Sequence, residues 1–271
     1  MTPFSLTDRV VIITGGAGLL GPEYARAVAG AGGTAVVADL DGARARQAAK
    51  EVAEETGRLA LGLEVDVTDQ DSVRALVRAT VDAFGRVDGL VNNAAINPSF
   101  DAGEADRHVF TFEDYPLERW RQSLDVNITG MFLCAQAVAP VMLGQGRGSI
   151  VNIASTYGLV GPDQRLYDDG SGGPRALKPV DYSVTKSAVL GFTRYLAAYW
   201  GEQGIRVNTL TPGGVQNDQD EGFVRRYGSR TPMGRMARRD EYRGAAVFLL
   251  SDASSYMTGA NLVVDGGWTA W

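Results

Sequence analysis

A chain of 271 residues, 45% apolar and 21% charged with 34 glycines, has the composition of an ordinary folded protein that buries a sizeable core, which excludes disorder. Its 26 basic and 32 acidic residues leave a net charge of −6 and no Lys/Arg run forms a stripe, so nucleic acid and anionic membrane are poor partners. A single cysteine, Cys134, rules out an internal disulfide, and with a single histidine, His108, it makes a Cys/His metal site implausible.

Met1 to Arg9 lack the basic start and apolar stretch of an export signal, and no segment reads as the roughly 18 apolar residues of a membrane helix, so a cytoplasmic protein is expected. Short apolar runs then alternate with loops and helical stretches: Val10–Ile13, Ala35–Ala38, Leu61–Val65, Leu90–Val91, Ser149–Asn152, Ile205–Asn208 and Asn261–Val264. Strands this uniformly apolar are covered on both faces, which predicts an α/β, doubly wound parallel sheet between two helix layers. No linker or composition shift divides the chain, so a single domain is expected.

The first run leads into Thr14-Gly15-Gly16-Ala17-Gly18-Leu19-Leu20-Gly21, and a helix through Tyr24, Ala25 and Val28 follows. Glycines there let the backbone turn sharply and approach a pyrophosphate, whose charge is favoured at a helix N-terminus. Alone, the same loop passes as an ordinary strand-to-helix turn. The second strand ends at Asp39, whose carboxylate can accept hydrogen bonds from adenosine ribose hydroxyls and would repel a 2′-phosphate. Neither the loop nor Leu40 supplies a cation for such a phosphate, and Arg44 and Arg46 lie farther along the next helix; NAD is favoured over NADP. Capping a helix is the plainer role for Asp39, and both can hold. Asp66, at the close of the third strand, is placed either to bond the adenine edge or to enter a helix capped by Thr68 or Asp69. Asn92-Asn93-Ala94-Ala95 end the fourth strand, where small side chains admit a ribose and Asn92 can tie neighbouring strands.

Two stretches break the rhythm: the polar connection Asn97 to Asp114, and the Gly/Pro-rich Gly161 to Pro179 with its run Gly170-Ser171-Gly172-Gly173-Pro174. Long loops in compact domains tend to carry function. Within the helix expected over Leu117–Leu143, Asn127 either faces solvent or anchors a water that leads protons away, and Cys134 reads as core packing. Ser155 follows the fifth strand at the carboxyl edge, where open α/β sheets bind ligands. Tyr182 and Lys186 share one helix face. A free tyrosine titrates near pH 10, so its phenolate at neutral pH costs about 4 kcal/mol unless nearby positive charge offsets it. In isolation such a pair is common and usually solvated. Helices Met131–Leu143 and Ser187–Trp200 carry more apolar surface than one sheet face covers, including Phe192, Leu196, Tyr199 and Trp200, which suggests self-association.

Taken together, the Thr14–Gly21 loop, Asp66, Asn92 to Ala95, Asn127, Ser155, the Tyr182/Lys186 pair, Pro212-Gly213 and Asp265-Gly266-Gly267 resemble the short-chain dehydrogenase/reductase family from end to end. The resemblance implies a Rossmann-type sheet of about seven strands, a single domain over 1–271 and a homotetramer. It implies hydride transfer between a nicotinamide cofactor and the carbon of a secondary alcohol or ketone, or of a lactol or lactone. It assigns a tetrad of Asn127, Ser155, Tyr182 and Lys186, with Tyr182 as acid and base, Ser155 orienting the substrate and Lys186 also holding the nicotinamide ribose. Cofactor contacts are then expected from Gly15, Gly18, Leu19 and Leu20, from Asp39 and Leu40, and from Asp66 and Val67. Asn93, Ala94, Ala95, Pro212, Gly213 and Val215 complete the set beside Tyr182 and Lys186. Two departures stand out. Leu19 occupies the place of the family's middle glycine, and Asn217 stands where a threonine is common.

Ser155 and Tyr182 lie farther apart in sequence than is usual in the family, so about 161–180 reads as an inserted loop anchored beside the reaction centre. Its Gln164, Arg165, Tyr167, Asp168 and Asp169 either shape the pocket or face water. A lid over about 214–236 reads Gln216-Asn217-Asp218-Gln219-Asp220-Glu221 and later Arg225-Arg226, polar for a cover over a steroid or fatty chain. A hydrophilic small molecule such as a sugar, sugar acid or polyol is therefore expected, with the arginines available for a carboxylate. The Thr14–Gly21 loop and the ending Gly266 to Trp271 also resemble members acting on sugar-related compounds. Two alternatives stay open: an NADPH-dependent carbonyl or 3-ketoacyl-type reductase, and a non-catalytic nucleotide sensor on the same scaffold.

Overall fold

In the computed structural model, which describes residues 2–97, 110–168 and 177–271, seven strands form one parallel sheet. They are β1 (Val10–Thr14), β2 (Thr34–Asp39), β3 (Ala60–Glu64), β4 (Gly89–Asn92), β5 (Gly148–Ile153), β6 (Ile205–Pro212) and β7 (Asn261–Val264). The helices are α1 (Gly21–Gly30), α2 (Gly42–Thr56), α3 (Gln70–Phe84), α4 (Leu117–Leu124), α5 (Gly130–Gln145), α6 (Val180–Trp200), α7 (Glu221–Gly228) and α8 (Arg243–Leu250). Every apolar run read from the sequence is a strand. β3 sits one residue earlier than read, so Asp66 lies beyond the strand end rather than closing it. His108, Asp169 and the run Gly170 to Pro174 lie outside the described residues.

The strand order is β3-β2-β1-β4-β5-β6-β7. The chain moves outward from β1 to β3, crosses back to β4 and moves outward the other way, so the connections after β1 and β4 diverge and open a crevice at the carboxyl ends of those strands. Alternate residues of each strand face opposite layers. Val11, Ile13, Val37 and Val91 meet Tyr24, Val28, Ala45, Val52, Ala246 and Leu249 of α1, α2 and α8. Val10, Ile12, Val36, Leu90 and Ile150 meet Val73, Leu76, Leu133, Val138, Met142, Leu196 and Trp200 of α3, α5 and α6. Each such side chain buried contributes about 1.5–3 kcal/mol.

α4 and α5 join through a π-helical turn, Asp125–Thr129, into one long helix, Leu117–Gln145. By length and composition this helix passes as a membrane span, which the sequence reading did not anticipate. Here Leu133, Cys134, Ala135, Val138 and Met142 are buried against the sheet, and Cys134 is a core residue as expected. Phe132 and Leu143, on its far side, are exposed.

Candidate active site

The glycine loop is locked to the end of β4. Asn93 donates from its side chain to the carbonyls of Thr14 and Gly15 at 3.1 and 2.9 Å, and the Thr14 hydroxyl accepts from the backbone N–H groups of Asn93 and Ala94. Gly15 has φ +59°, and a Cβ there would stand 2.8 Å from the Ala94 Cα. A Cβ on Gly21 would stand 2.4 Å from the Gly15 carbonyl oxygen, so a side chain at the first residue of α1 would push the loop off the helix. Gly18 and Leu19 are exposed at the rim and Leu20 is half-buried. Asn92 does tie strands: its amide donates to Asn152 Oδ1 at 2.9 Å, directly across the β4–β5 pairing.

Asp39 stands at the other side of the loop. Its carboxylate accepts from the Ala17 and Asp41 N–H groups at 2.9 and 3.2 Å, and it lines an open cavity of about 680 Å³ with Leu40, Arg44, Arg46 and Glu64. The helix cap is Asp41, which accepts from Ala43 and Arg44. Arg44 folds back and donates to the Ala17 carbonyl at 2.9 Å, so this cation is nearer Asp39 than the sequence spacing suggested. Asp66 Oδ1 accepts from the Thr68 N–H and hydroxyl at 2.9 and 2.7 Å, while Asp69 caps α3. Val67 is buried against Gly130, where a Cβ would stand 2.7 Å from its Cγ2.

Asn127 occupies the π-helical turn and is 1% exposed, which removes the solvent-facing alternative. Its Oδ1 accepts from the Ile96 N–H at 2.7 Å, and its Nδ2 donates to the Ile96 carbonyl, Ser123 Oγ and Thr185 Oγ1 at 3.1 to 3.3 Å. The turn thus pins the segment after β4 to α6, in keeping with the use of π-turns at functional sites. Tyr182, Thr185 and Lys186 line the buried face of α6. The Lys186 ammonium donates to the Ile153 carbonyl at 2.8 Å and lies 5.9 Å from the Tyr182 ring centroid. Burial pushes the Tyr182 phenol above its ordinary value, and a hydrogen bond with Ser155 works the other way. Burial lowers the Lys186 ammonium to about 8. Ser155 opens the short turn Thr156–Gly158 after β5 and accepts from the Tyr157 N–H at 3.2 Å. All four residues are buried, at the carboxyl edge of β4 and β5.

Over residues 17–269 the chain matches the family model described as enoyl-(acyl carrier protein) reductase. It belongs to the short-chain dehydrogenase/reductase family. The chain is 37% identical over 273 residues to a 2,5-dichloro-2,5-cyclohexadiene-1,4-diol dehydrogenase of Sphingobium indicum, covering 98% of each chain. It is 37% identical over 270 residues to a trans-4-hydroxycyclohexanecarboxylate dehydrogenase of Sinomonas cyclohexanicum, covering 98% of this chain and 94% of that one. Among solved structures it matches a gluconate 5-dehydrogenase of Burkholderia cenocepacia in complex with NADP and tartrate, at 32% identity and a TM-score of 0.85, over 99% of this chain and 98% of that one. As a member of the family the protein is an oxidoreductase that acts on CH–OH groups of small molecules with a nicotinamide cofactor.

Residues 157–167 and 223–236 of this dehydrogenase/reductase meet at Tyr182. Tyr157, Leu166, Tyr227, Met236 and Trp268 cluster with it, and Tyr167, Phe223 and Val224 pack around them. Tyr227 and Trp268 stack at 4.2 Å, and the Tyr167 hydroxyl lies 3.1 Å from that of Tyr157. Of the insertion residues expected to shape the pocket, Gln164 and Tyr167 turn inward, whereas Arg165 pairs with Asp163 and is exposed, as is Asp168. The lid arginines do not reach toward Tyr182: Arg225 pairs with Glu221 on the exposed face, and Arg226 donates to the Leu166 carbonyl at 3.0 Å. Asn217 accepts from Arg239. The polar residues of 214–236 therefore serve caps and loop bonds, while Phe223 and Tyr227 turn inward.

Pro212 ends β6, and Gly213 packs where a Cβ would stand 2.7 Å from the Asp265 Cα. Asp265 holds the turn through Gly266 and Gly267 by accepting from the Gly267 and Thr269 N–H groups. Val215 bridges to Ala237 across the base of the lid. Sequence reasoning missed Gly158, Lys178, Asp181 and the aromatic cluster. Gly158 had a legible signal, a glycine three residues after Ser155, but the contact it permits involves a helix backbone distant in sequence.

Proposed function

We propose that the protein interconverts a secondary alcohol and its ketone, or a lactol and lactone, on a hydroxylated ring or polyol, with NAD as the preferred cofactor. The observation that carries the reading is the buried Tyr182 and Lys186 on one helix face, with Ser155 beside them at the carboxyl edge of the sheet. The residues present fit a dinucleotide: Gly15, Gly16 and Gly21 have backbone packing too close for a Cβ, and Asp39 and Leu40 line an open cavity. Gly15, Gly18, Leu19 and Leu20 would hold the pyrophosphate, and Asp39 with Leu40 the adenosine ribose. Asp66 and Val67 would flank the adenine. Asn93, Ala94, Ala95, Pro212, Gly213 and Val215, with Tyr182 and Lys186, would surround the nicotinamide half.

When bound, the cofactor would supply the hydride acceptor or donor for the carbinol carbon. In oxidation the Tyr182 phenolate takes the hydroxyl proton; in reduction the phenol returns it. Ser155 donates to the same substrate oxygen and holds it within reach. Lys186 supplies positive charge that favours the phenolate, and Asn127 holds the segment after β4 against α6 where a water can carry the proton onward.

For the substrate, the aromatic wall of Tyr157, Tyr167, Tyr227 and Trp268 supports a six-membered ring, sugar or carbocycle, whose apolar face packs on the rings while its hydroxyls meet Ser155 and Tyr182. The relatives acting on a cyclohexadiene diol and a hydroxycyclohexane carboxylate support that class, and the gluconate dehydrogenase supports the polyol alternative. Residues 161–168 and 214–236 would act as one cover, joined by the Arg230–Asp163 pair and the Arg226 bond to Leu166. Exposed Phe132 and Leu143 on α5 and Tyr195 and Tyr199 on α6 support a homotetramer, and the nicotinamide requirement fits the cytoplasm.

An NADP reading has two supports: Arg44 and Arg46 line the cavity beside Asp39, and the gluconate 5-dehydrogenase structure holds NADP. Screening cyclic alcohols, sugars, sugar acids and linear polyols with NAD and NADP at the nicotinamide absorbance tests both parts. Turnover of ring alcohols with NAD is expected. Activity confined to long-chain alcohols, or to NADP, would overturn the corresponding part.

A further inference from the structure

A second buried ammonium sits on the Tyr182 ring. Lys178 precedes α6 and lies 7% exposed, with its Nζ 4.0 Å from the Tyr182 ring centroid, closer than the 5.9 Å of Lys186. The position is built from both ends. Gln164 clamps the Lys178 backbone, donating to its carbonyl at 3.0 Å and accepting from its N–H at 2.8 Å, while the ammonium donates to Asn97 Oδ1 at 2.6 Å. The clamp comes from the insertion and Asn97 from the segment after β4, so three elements converge to hold one charge against one ring.

A cation on a ring face is attracted to a neutral phenol, and more strongly to a phenolate, whose charge spreads into the ring. Holding two ammoniums near one another in a buried site is unfavourable unless an anion forms between them. Burial pushes Lys178 down to about 7, with Lys186 adding to the depression and Asp181 opposing it. Among the described residues, the titratable groups facing this pair are Asp181 and Lys186 on α6 and Tyr157 and Tyr167 from the elements over it; Tyr115 donates to Asp181 Oδ1 at 2.9 Å. Forming the phenolate relieves the Lys178–Lys186 repulsion, so the three titrations are coupled.

We propose that Lys178 is a positioning residue of the acid–base centre: its ammonium, clamped on the ring face, favours the Tyr182 phenolate alongside Lys186 and extends alcohol oxidation to lower pH. The proposal rests on the reading of Tyr182 as acid and base.

The test follows two readouts across pH 6 to about 10.5: kcat for the best ring alcohol found in the screen, and the ultraviolet phenolate signal of the protein, taken as the difference from Tyr182→Phe. In Lys178→Met the midpoint of both is expected to rise by about one pH unit, so kcat at pH 7 falls about tenfold while KM changes less than about threefold. Lys178→Arg, which restores a cation, is expected to return the profile toward wild type. Lys178→Gln, which keeps a donor toward Asn97, supplies the same measurement where the Met variant does not fold. Unshifted midpoints in Met and Gln variants, or a kcat loss that is uniform across pH and not rescued by Arg, would overturn the role of Lys178. Turnover surviving in Tyr182→Phe would instead overturn the reading beneath it.

Discussion

Gly158 lies against the backbone of Lys186: a Cβ at Gly158 would stand 2.5 Å from the Lys186 carbonyl oxygen, and Ser187 Oγ donates to the Gly158 carbonyl at 3.0 Å. The turn that carries Ser155 is thereby seated directly on the helix that carries Tyr182 and Lys186. Because the opposing atom is helix backbone, no rotamer change makes room.

Gly158→Ala is therefore expected to move Ser155 away from Tyr182. Stability should fall by about 1–3 kcal/mol, the usual cost of overpacking, and kcat should fall by more than that loss explains, about tenfold or greater. Urea unfolding and steady-state kinetics on the same preparation check this. Unchanged kcat would show that the seating is not needed.

Asn127→Ala removes the partner of both half-buried Ile96 backbone groups, at a cost of about 1 kcal/mol for each group. Thermal unfolding should shift down by several degrees. A variant as stable as wild type would mean that the segment after β4 finds other partners.

Much of the fold was readable because short apolar runs bounded by turn residues and alternating with helical stretches fit a parallel sheet, and all seven runs are strands, the edge strands β3 and β7 being only partly covered. The positions of Tyr182 and Lys186 were readable because a four-residue spacing on a helix fixes a shared face. The polar composition of 214–236 did not reveal its inner surface: Asp220 caps α7, Gln219 donates to the Val215 carbonyl, and Arg226 reaches the Leu166 carbonyl, so the polar groups serve backbone while Phe223 and Tyr227 turn inward. Lys178 was not legible, because its contact with Tyr182 depends on a clamp from Gln164 and a bond to Asn97 that no local pattern announces. Nor did the sequence predict that Arg44 would fold back to Ala17.

Asp39→Asn removes one negative charge from the cavity and keeps one acceptor for the Ala17 or Asp41 N–H. The ratio of NADP to NAD affinity should rise about tenfold, as Arg44 and Arg46 then share the cavity with one carboxylate fewer. Fluorescence titration with each cofactor measures it. A constant ratio would show that the arginines already govern the choice.

The two buried lysines give stability a definite pH dependence. Burial lowers Lys186 to about 8 and Lys178 to about 7, whereas in the unfolded chain a lysine titrates near 10.4. Between those values the unfolded chain holds protons that the folded one lacks, so stability should rise with pH from about 7 toward about 10. The raised Tyr182 phenol opposes this only above about pH 10. Urea unfolding from pH 7 to about 9.5 should show the rise in wild type and a smaller one in Lys186→Met; equal slopes would contradict it.

The central claim is that the Tyr182 phenol handles the substrate proton. Its most direct measurement is turnover by Tyr182→Phe beside its affinity for NAD, since removing one oxygen leaves the ring to pack in the aromatic cluster. Unchanged folding, cofactor affinity within about threefold of wild type and kcat lower by a factor on the order of a thousand are expected. Wild-type turnover in this variant would contradict it.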